Sequence, residues 1–570
     1  MKSFVCSFIF LLLPLAVKAA APDDINTNQR AWFDAVDLNA NGDYTDNPAN
    51  SIEVSEWTDK SGSGNHISAT GTARPLYSPN NLGSQRHGVD FDGVTDSLID
   101  ADDIWTGSVS NSESFVVLTT DVIRASFPFL STDFGNNRLG THLPWSNSKV
   151  YFDQGACCGA PTRLQGTIPI SLGQQYFWHF IGLPNLQSIT QDGKTRLSDS
   201  GASTYNTNAN TRFALGSAGT SRFHEGRYFE ALFYQTGLSN AQRSILSSYL
   251  SAKWNKAFAS SPTYPDVYSG DETAQGSYDF FVGGIGRAAG SQTSGTSQGL
   301  TITDSGFLSA DGKYILAGVN YLTTTPITGT SNIDMPSGYL NRSSRSWYID
   351  RTGNGGLVDL SFNASEIGLS VDNGAEYGLF HRVGTSGAFT AVATATMIGG
   401  VITFNHLPDD GVYTVGKKGI SNITLVKTNQ TIEDPVNNLL NPKAIPGSII
   451  DYTLTVRNLG DLGPDTDTTL IKDTLQSELT LFTGDLDGNG SPFVFTDNSC
   501  PPTTPTITSN LTLDYPSDVV FKDALGNIAT PSMDYDTSIR TFEITLSGLM
   551  NSNYLADVPC FTVKYRTKLQ

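Results

Sequence analysis

Only one stretch of this 570-residue chain, from about Asn240 to Trp254, repeats its apolar side chains at helical spacing. Ile245, Leu246, Tyr249, Leu250 and Lys253/Trp254 recur every three or four positions, and Ser239 precedes them with Gln242 three residues on, which reads as a capping box. The other core-forming segments are short. Ser114-Phe115-Val116-Val117-Leu118, Lys313-Tyr314-Ile315-Leu316-Ala317 and Asp451-Tyr452-Thr453-Leu454-Thr455-Val456 are rich in β-branched and aromatic residues and fenced by Gly, Asn, Asp or Pro. Such runs are strands of sandwiches. The pattern predicts an all-β protein with one helix whose apolar stripe lies on a sheet. With 38% hydrophobic and 10% aromatic residues the chain can fill cores, so the low charged content of 16% does not signal disorder.

At roughly 150 residues per domain, this length predicts three or four domains. A Ser/Pro-rich stretch without periodicity, Ala257 to Pro265, reads as one boundary, and Lys417-Lys418-Gly419, between two strands, as a second. The expected division is a leader over 1–20 and domains over 22–257, 262–418 and 422–570. No short fixed-period repeat is present, which disfavours solenoids and propellers.

Met1-Lys2-Ser3, an apolar run from Phe4 to Val17 and Ala19-Ala20-Ala21 before a polar stretch read as a secretory signal peptide cut after Ala19 or Ala20. No later stretch reaches the ~20 apolar residues needed to span a bilayer. The expectation is a secreted protein of the bacterial surface or exterior without a membrane-spanning segment after cleavage. The net charge is −20, and −22 once Lys2 and Lys18 leave with the leader. That balance argues against nucleic acid and anionic membranes as partners. Cys157, Cys158, Cys500 and Cys560 then remain in an oxidising compartment with three possible pairings, of which chain distance favours Cys157–Cys158 and Cys500–Cys560. A vicinal bridge is either a hard apolar edge beside a ligand or only a stapled turn, and the two cysteines can also stand reduced.

Four separated blocks recur in order in the first segment: Ala31-Trp32-Phe33-Asp34-Ala35, Trp57-Thr58-Asp59-Lys60-Ser61-Gly62-Ser63-Gly64-Asn65, Val89-Asp90-Phe91-Asp92-Gly93-Val94-Thr95-Asp96-Ser97-Leu98 and Tyr249-Leu250-Ser251-Ala252-Lys253-Trp254. Over about residues 22–257 they resemble the concanavalin A-like, laminin-G-type jelly-roll domains of bacterial exported surface proteins. The resemblance implies two antiparallel sheets packed face to face, in a fold whose members bind carbohydrates, calcium or proteins and in some cases hydrolyse polysaccharides. Tyr278 to Arg287, Ser297 to Ile302 and Arg345 to Gly353 resemble a β-rich domain of unknown function that follows such jelly rolls. Tyr452 to Gly460, Gly463-Pro464 and Ile471-Lys472-Asp473-Thr474-Leu475 are similar to Ig-like repeats of bacterial surface stalks. The expected architecture is therefore an N-terminal jelly roll followed by two β-sandwich domains.

Asp37, Asn39, Asn41, Asp43 and Asp46 place oxygen donors at near-alternate positions around Gly42, as a hard cation such as calcium requires. Pro48 stands where an EF-hand would carry its bidentate Glu, so a solvated loop of Asx turns is the competing reading. Asp485 to Gly490 is a weaker copy. Calcium is the one cofactor the sequence raises.

Glycosidase chemistry needs two carboxylates flanking one bond, and no Glu-x-Asp-x-x-Glu strand supplies them. No Gly-x-Ser-x-Gly elbow accompanies the scattered histidines. Gly283-Gly284-Ile285-Gly286-Arg287 lacks the Lys-Ser/Thr of a phosphate loop and reads as a sheet bend. Sugar recognition instead needs exposed aromatics and polar side chains. Trp145, Tyr151 and Arg163, close to Cys157-Cys158, are the candidates, with Trp105 besides, each weighed against a place in the core; Trp32, Trp57 and Trp254 read as core. The expected function is non-catalytic adhesion or carbohydrate recognition through residues 22–257, with a glycan or a surface protein as partner. A structural role in an extracellular coat is the alternative, and a polysaccharide-acting hydrolase the remoter one.

Overall fold

A computed structural model describes residues 22–79, 87–133, 135–159, 161–321, 330–331, 334–498, 509–532, 534–553 and 558–570. The leader and Cys500 lie outside these. The fold is all-β, with strands throughout and one α-helix, α1 (Asn240–Trp254), among the described residues. The chain forms two compact units, Met1–Asp334 with Arg342–Gly416, and Met335–Asn341 with Lys417–Gln570.

The first unit opens with two eight-stranded antiparallel sheets. One has Glu225–Tyr234 at its centre, flanked by Ser112–Leu118, His87–Asp92 and Gln29–Asp34. The other runs from Arg163–Gly166 through Val150–Ala156, Asn137–His142 and Phe129–Thr132 to Glu56–Trp57. Strand alternation puts Phe33, Val116, Ala231 and Phe233 of the first sheet and Phe129, Leu139, Phe152 and Phe213 of the second into one core, with Trp57, Trp105 and Trp178. Trp105 is thus a core residue, 1% exposed, and leaves the list of ligand candidates.

The residues between Phe33 and its neighbours point the other way, and there the sequence blocks converge under α1. Asp34, Glu113 and Glu230 form an acidic row on the outer face of the first sheet, and the helix covers it. Lys253 sits 2.8 Å from Asp34 Oδ1 and 3.0 Å from Glu230 Oε2, and Lys60 sits 2.9 Å from both Asp34 and Asp37. Trp32 Nε1, Trp254 Nε1 and the Tyr249 hydroxyl each donate to Glu230 at 2.6–2.7 Å. Glu113 accepts from Arg243, His179 and the Leu238 backbone N–H. Burial alone would raise the Asp34 carboxyl, yet Lys253 and Lys60 hold it down at about 2.

Ser239 caps α1 with both bonds of the capping box formed. The helix is buried on nearly every side, its serines included, because Phe280–Arg287 packs against it as well. The helix expected to lay its apolar stripe on a sheet is thus enclosed on its other side as well. The Ser/Pro-rich segment after α1 is bound to the turn at Gly193 and its neighbours: Thr263 N donates to Gly193 O, Lys194 Nζ to Ser260 O, and Phe258 packs edge-on against Phe177. Gly284 and Gly286 lie within Phe280–Arg287, where a Cβ would strike the Ile315 carbonyl oxygen or the Tyr314 ring. They serve close strand pairing.

The second unit pairs a six-stranded with a three-stranded sheet around Leu454, Val456, Ile471, Phe493, Phe521, Phe542, Phe561 and Tyr565. Its strand Ile423–Glu433 lies at the end of the larger sheet.

Candidate functional site

On the second sheet of the sandwich, Leu139, Val150, Phe152 and Leu164 enter the core. The period of two then turns Arg138, His142, Tyr151, Asp153 and Arg163 to the opposite face. Register brings them together: Asp153 pairs with Arg163 on one side and Gly140 on the other, and Tyr151 with His142.

Asp153 is 1% exposed and organises this face. Arg163 grips it in a two-bond fork at 2.6 and 2.8 Å, and Arg138 Nη2 adds a third contact at 2.8 Å. The Arg163 guanidinium lies 4.8 Å over the Tyr151 ring. His142 Nδ1 lies 2.7 Å from the Ser126 carbonyl oxygen, so the proton of the neutral ring sits on Nδ1. Burial lowers its pKa to about 4. His142 packs on Trp145 with ring centroids 4.3 Å apart, and the exposed Arg222 guanidinium lies 5.1 Å over the Trp145 ring. Buried Phe127 underlies both Arg138 and Arg222.

Cys157 and Cys158 are bonded to each other at the end of Val150–Ala156. Arg163 Nη2 lies 3.5 Å from Cys157 Sγ and Arg138 Nη2 3.2 Å from Cys158 Sγ. Cys158 is exposed and Cys157 half-buried, so the bridge forms one rim of the face, with half-buried Trp145 toward the other.

The structure thus gathers Trp145, Tyr151, Arg163 and the vicinal pair on one continuous surface. It also divides their roles. Tyr151 is 6% exposed, so its ring supports Arg163 and leaves Trp145 as the accessible aromatic. Arg138, Asp153 and Arg222 are not singled out by the sequence, and His142 reads there as an ordinary loop or strand residue. Arg138 and Asp153 carry a usable signal, since each alternates with an apolar core residue on its strand; Arg222, on a distant loop, carries none.

The Asp37–Asn47 loop takes the Asx-turn reading. The Asp37 carboxylate is fully buried, meets Lys60 and accepts the backbone N–H groups of Asn41 and Gly42. Asp46 Oδ2 accepts from the Asn39 and Asn41 side-chain amides, and Asp43 binds Thr45. A calcium ion does not fit this arrangement, because an ammonium already neutralises the one buried carboxylate. Among the described residues no group of three or more His, Cys, Asp or Glu side chains is placed to hold a metal ion. In the second unit Asp485 and Asp487 cap their own loop by accepting from Gly488, Asn489 and Ser491. Cys560 is buried and disulfide-bonded, while Cys500 lies outside the described residues.

No protein-family model matches the chain, and no curated protein matches it either. Among solved structures it is similar to domain 4 of a GH43 extracellular arabinanase from Geobacillus stearothermophilus, in complex with arabinotriose, at 16% identity and a TM-score of 0.28 over 37% of this chain and 94% of that one. A GH54 α-L-arabinofuranosidase mutant is similar at 15% identity and 0.26 over 33% and 48%. A SAP-like pentraxin from Limulus polyphemus is similar at 12% and 0.24 over 28% and 82%. Likeness at this level assigns no activity.

Proposed function

We propose that this is a secreted, non-catalytic protein of the bacterial surface that recognises a glycan through the outer face of strands Asn137–His142, Val150–Ala156 and Arg163–Gly166. The observation that carries the reading is the contiguity of an accessible indole, Trp145, with guanidinium donors and the vicinal disulfide rim on a rigid sheet. Sugars are bound by stacking a ring face on an aromatic while polar side chains take the hydroxyls. Hydrolysis is disfavoured because the carboxylate in the cluster has both oxygens occupied by guanidinium bonds, whereas glycosidases need a free acid opposite a second one.

The test is a glycan array probed with the full chain and with Trp145→Ala. Binding that falls at least about tenfold in the variant supports the reading. An array blank for the unaltered chain sinks it.

A second reading, a structural part of an extracellular assembly, has its own support in the second unit. The eleven-residue strand Ile423–Glu433 ends its sheet with Ile423, Leu425 and Val426 44–51% exposed, an edge on which another strand can add. Self-association on light scattering, abolished by Val426→Lys, would favour it.

A further inference from the structure

Charge on the proposed face is the reverse of charge on the chain. The whole sequence carries −20, yet Arg138 meets one carboxylate, Asp153, at 2.8 Å and shares its surroundings with two further guanidiniums, Arg163 on the same carboxylate and Arg222 over the same Phe127 ring. Asp153 is already shared between Arg163 and Arg138. Arg222 makes no ion pair or hydrogen bond through its side chain among the described residues and rests only on the Trp145 and Phe127 rings. Its backbone lies in the left-handed region, at φ +58°. Arg138 Nε is buried with no hydrogen-bond partner. Cations gathered without matching anions repel one another, and buried donors left unpaired cost free energy. The surplus of positive charge is relieved by an anionic group arriving from outside, which meets the exposed Arg222 guanidinium, while the buried Arg138 Nε stays beyond its reach.

Resting on the glycan-binding reading, we infer that the ligand is an acidic glycan, whose sugar ring stacks on Trp145 while its anionic substituent lies between Arg222 and Arg138. Guanidinium forks match planar carboxylates and also sulfate oxygens, so the shared chemistry is an anionic group on a sugar. Overall negative charge does not oppose this, because Debye screening at physiological ionic strength limits the reach of distant carboxylates to about 8 Å.

The experiment is calorimetric titration of the full chain with oligogalacturonate, with its fully methyl-esterified form and with a sulfated galactan oligosaccharide, at 0.05 and 0.5 M salt. The acid should bind about tenfold tighter than the ester at low salt, with the preference shrinking at high salt and collapsing toward unity in Arg222→Gln. Preference for the sulfated sugar over both galacturonate forms, lost in the same variant, also supports the inference and assigns the anion as sulfate. Equal affinity for acid and ester, with no gain from sulfate, overturns the inference and leaves the glycan reading standing. If none of the three binds while neutral glycans on the array do, the inference fails alone; if neither binds, both readings fail.

Discussion

Two clusters of charge lie on the two outer faces of the same sandwich, and they are built on different terms. Under α1, Asp34, Asp37 and Glu230 meet Lys60 and Lys253, and the surplus carboxylate is capped by Trp32, Tyr249 and Trp254 donors. These groups are enclosed and paired with one another. On the opposite sheet two guanidiniums share one carboxylate, a third, that of Arg222, rests on aromatic rings without an anion, Arg138 Nε is left over, and one edge opens to solvent. A satisfied cluster fixes a helix on a sheet; an unsatisfied one with access is a place for a ligand.

The largest effect should come from breaking the enclosed cluster. Glu230→Ala takes the acceptor from two buried indole N–H groups and the Tyr249 hydroxyl and leaves Lys253 with Asp34 alone, and removing one partner of a buried ion pair costs about 3–5 kcal/mol. All seven tryptophans belong to the first unit, so their emission during denaturant unfolding of the full chain reads that unit alone. Arg222→Gln, at the exposed edge of the other cluster, should leave the same curve within about 0.5 kcal/mol. Equal losses in the two variants would erase the distinction.

A smaller effect sharpens the comparison with pH. Burial is the main cause that holds the His142 pKa at about 4 in the folded chain, against 6.5 when free. The unfolded chain therefore takes up a proton below pH 6.5 that the folded chain refuses until about pH 4, so the contribution of the neutral ring is complete above pH 6.5 and lost as pH falls. The stability difference between the unaltered chain and His142→Gln should shrink by about 2–3 kcal/mol from pH 7 to 4.5. Taking the difference matters, because Asp96 and Asp192, raised by burial to about 6, act with the opposite sign in both proteins. A constant difference would mean that the ring takes up its proton at the same pH in the folded and unfolded chain and adds a further cation to the binding face below pH 6.5.

The sandwich was legible because alternation is local: Val150 to Asp153 declares its two faces within four residues. The capping box at Ser239 and the burial of Trp32, Trp57 and Trp254 were legible for the same reason. Trp145, Tyr151 and Arg163 could be grouped because one hairpin and its neighbouring strand carry them all. The enclosed cluster was not readable, since Trp32 and Glu230 are 198 residues apart and only sheet order makes them neighbours. Arg222 was hidden likewise. The contacts of the Ser/Pro-rich segment after α1 were not legible for a different reason: lack of periodicity excludes a strand or helix, but not a segment bound through its backbone to the Gly193 turn.

The smallest expected effect concerns the loop where the sequence raised calcium. A ligand that binds only the folded state raises its melting temperature by mass action, so calcium and chelator should give different curves if Asp37 to Asp46 hold the ion. We expect no difference. Asp37 belongs to the enclosed cluster, and bringing a divalent ion to it would place that charge against Lys60, 2.9 Å from the same carboxylate. Asp43 and Asp46 remain, with oxygens already accepting from Thr45, Asn39 and Asn41, too few for the six to eight oxygen ligands calcium takes. A calcium-dependent rise that disappears in Asp43→Ala would require Lys60 to leave Asp37, and the matched cluster would then be a metal-controlled support for α1 instead of a permanent one.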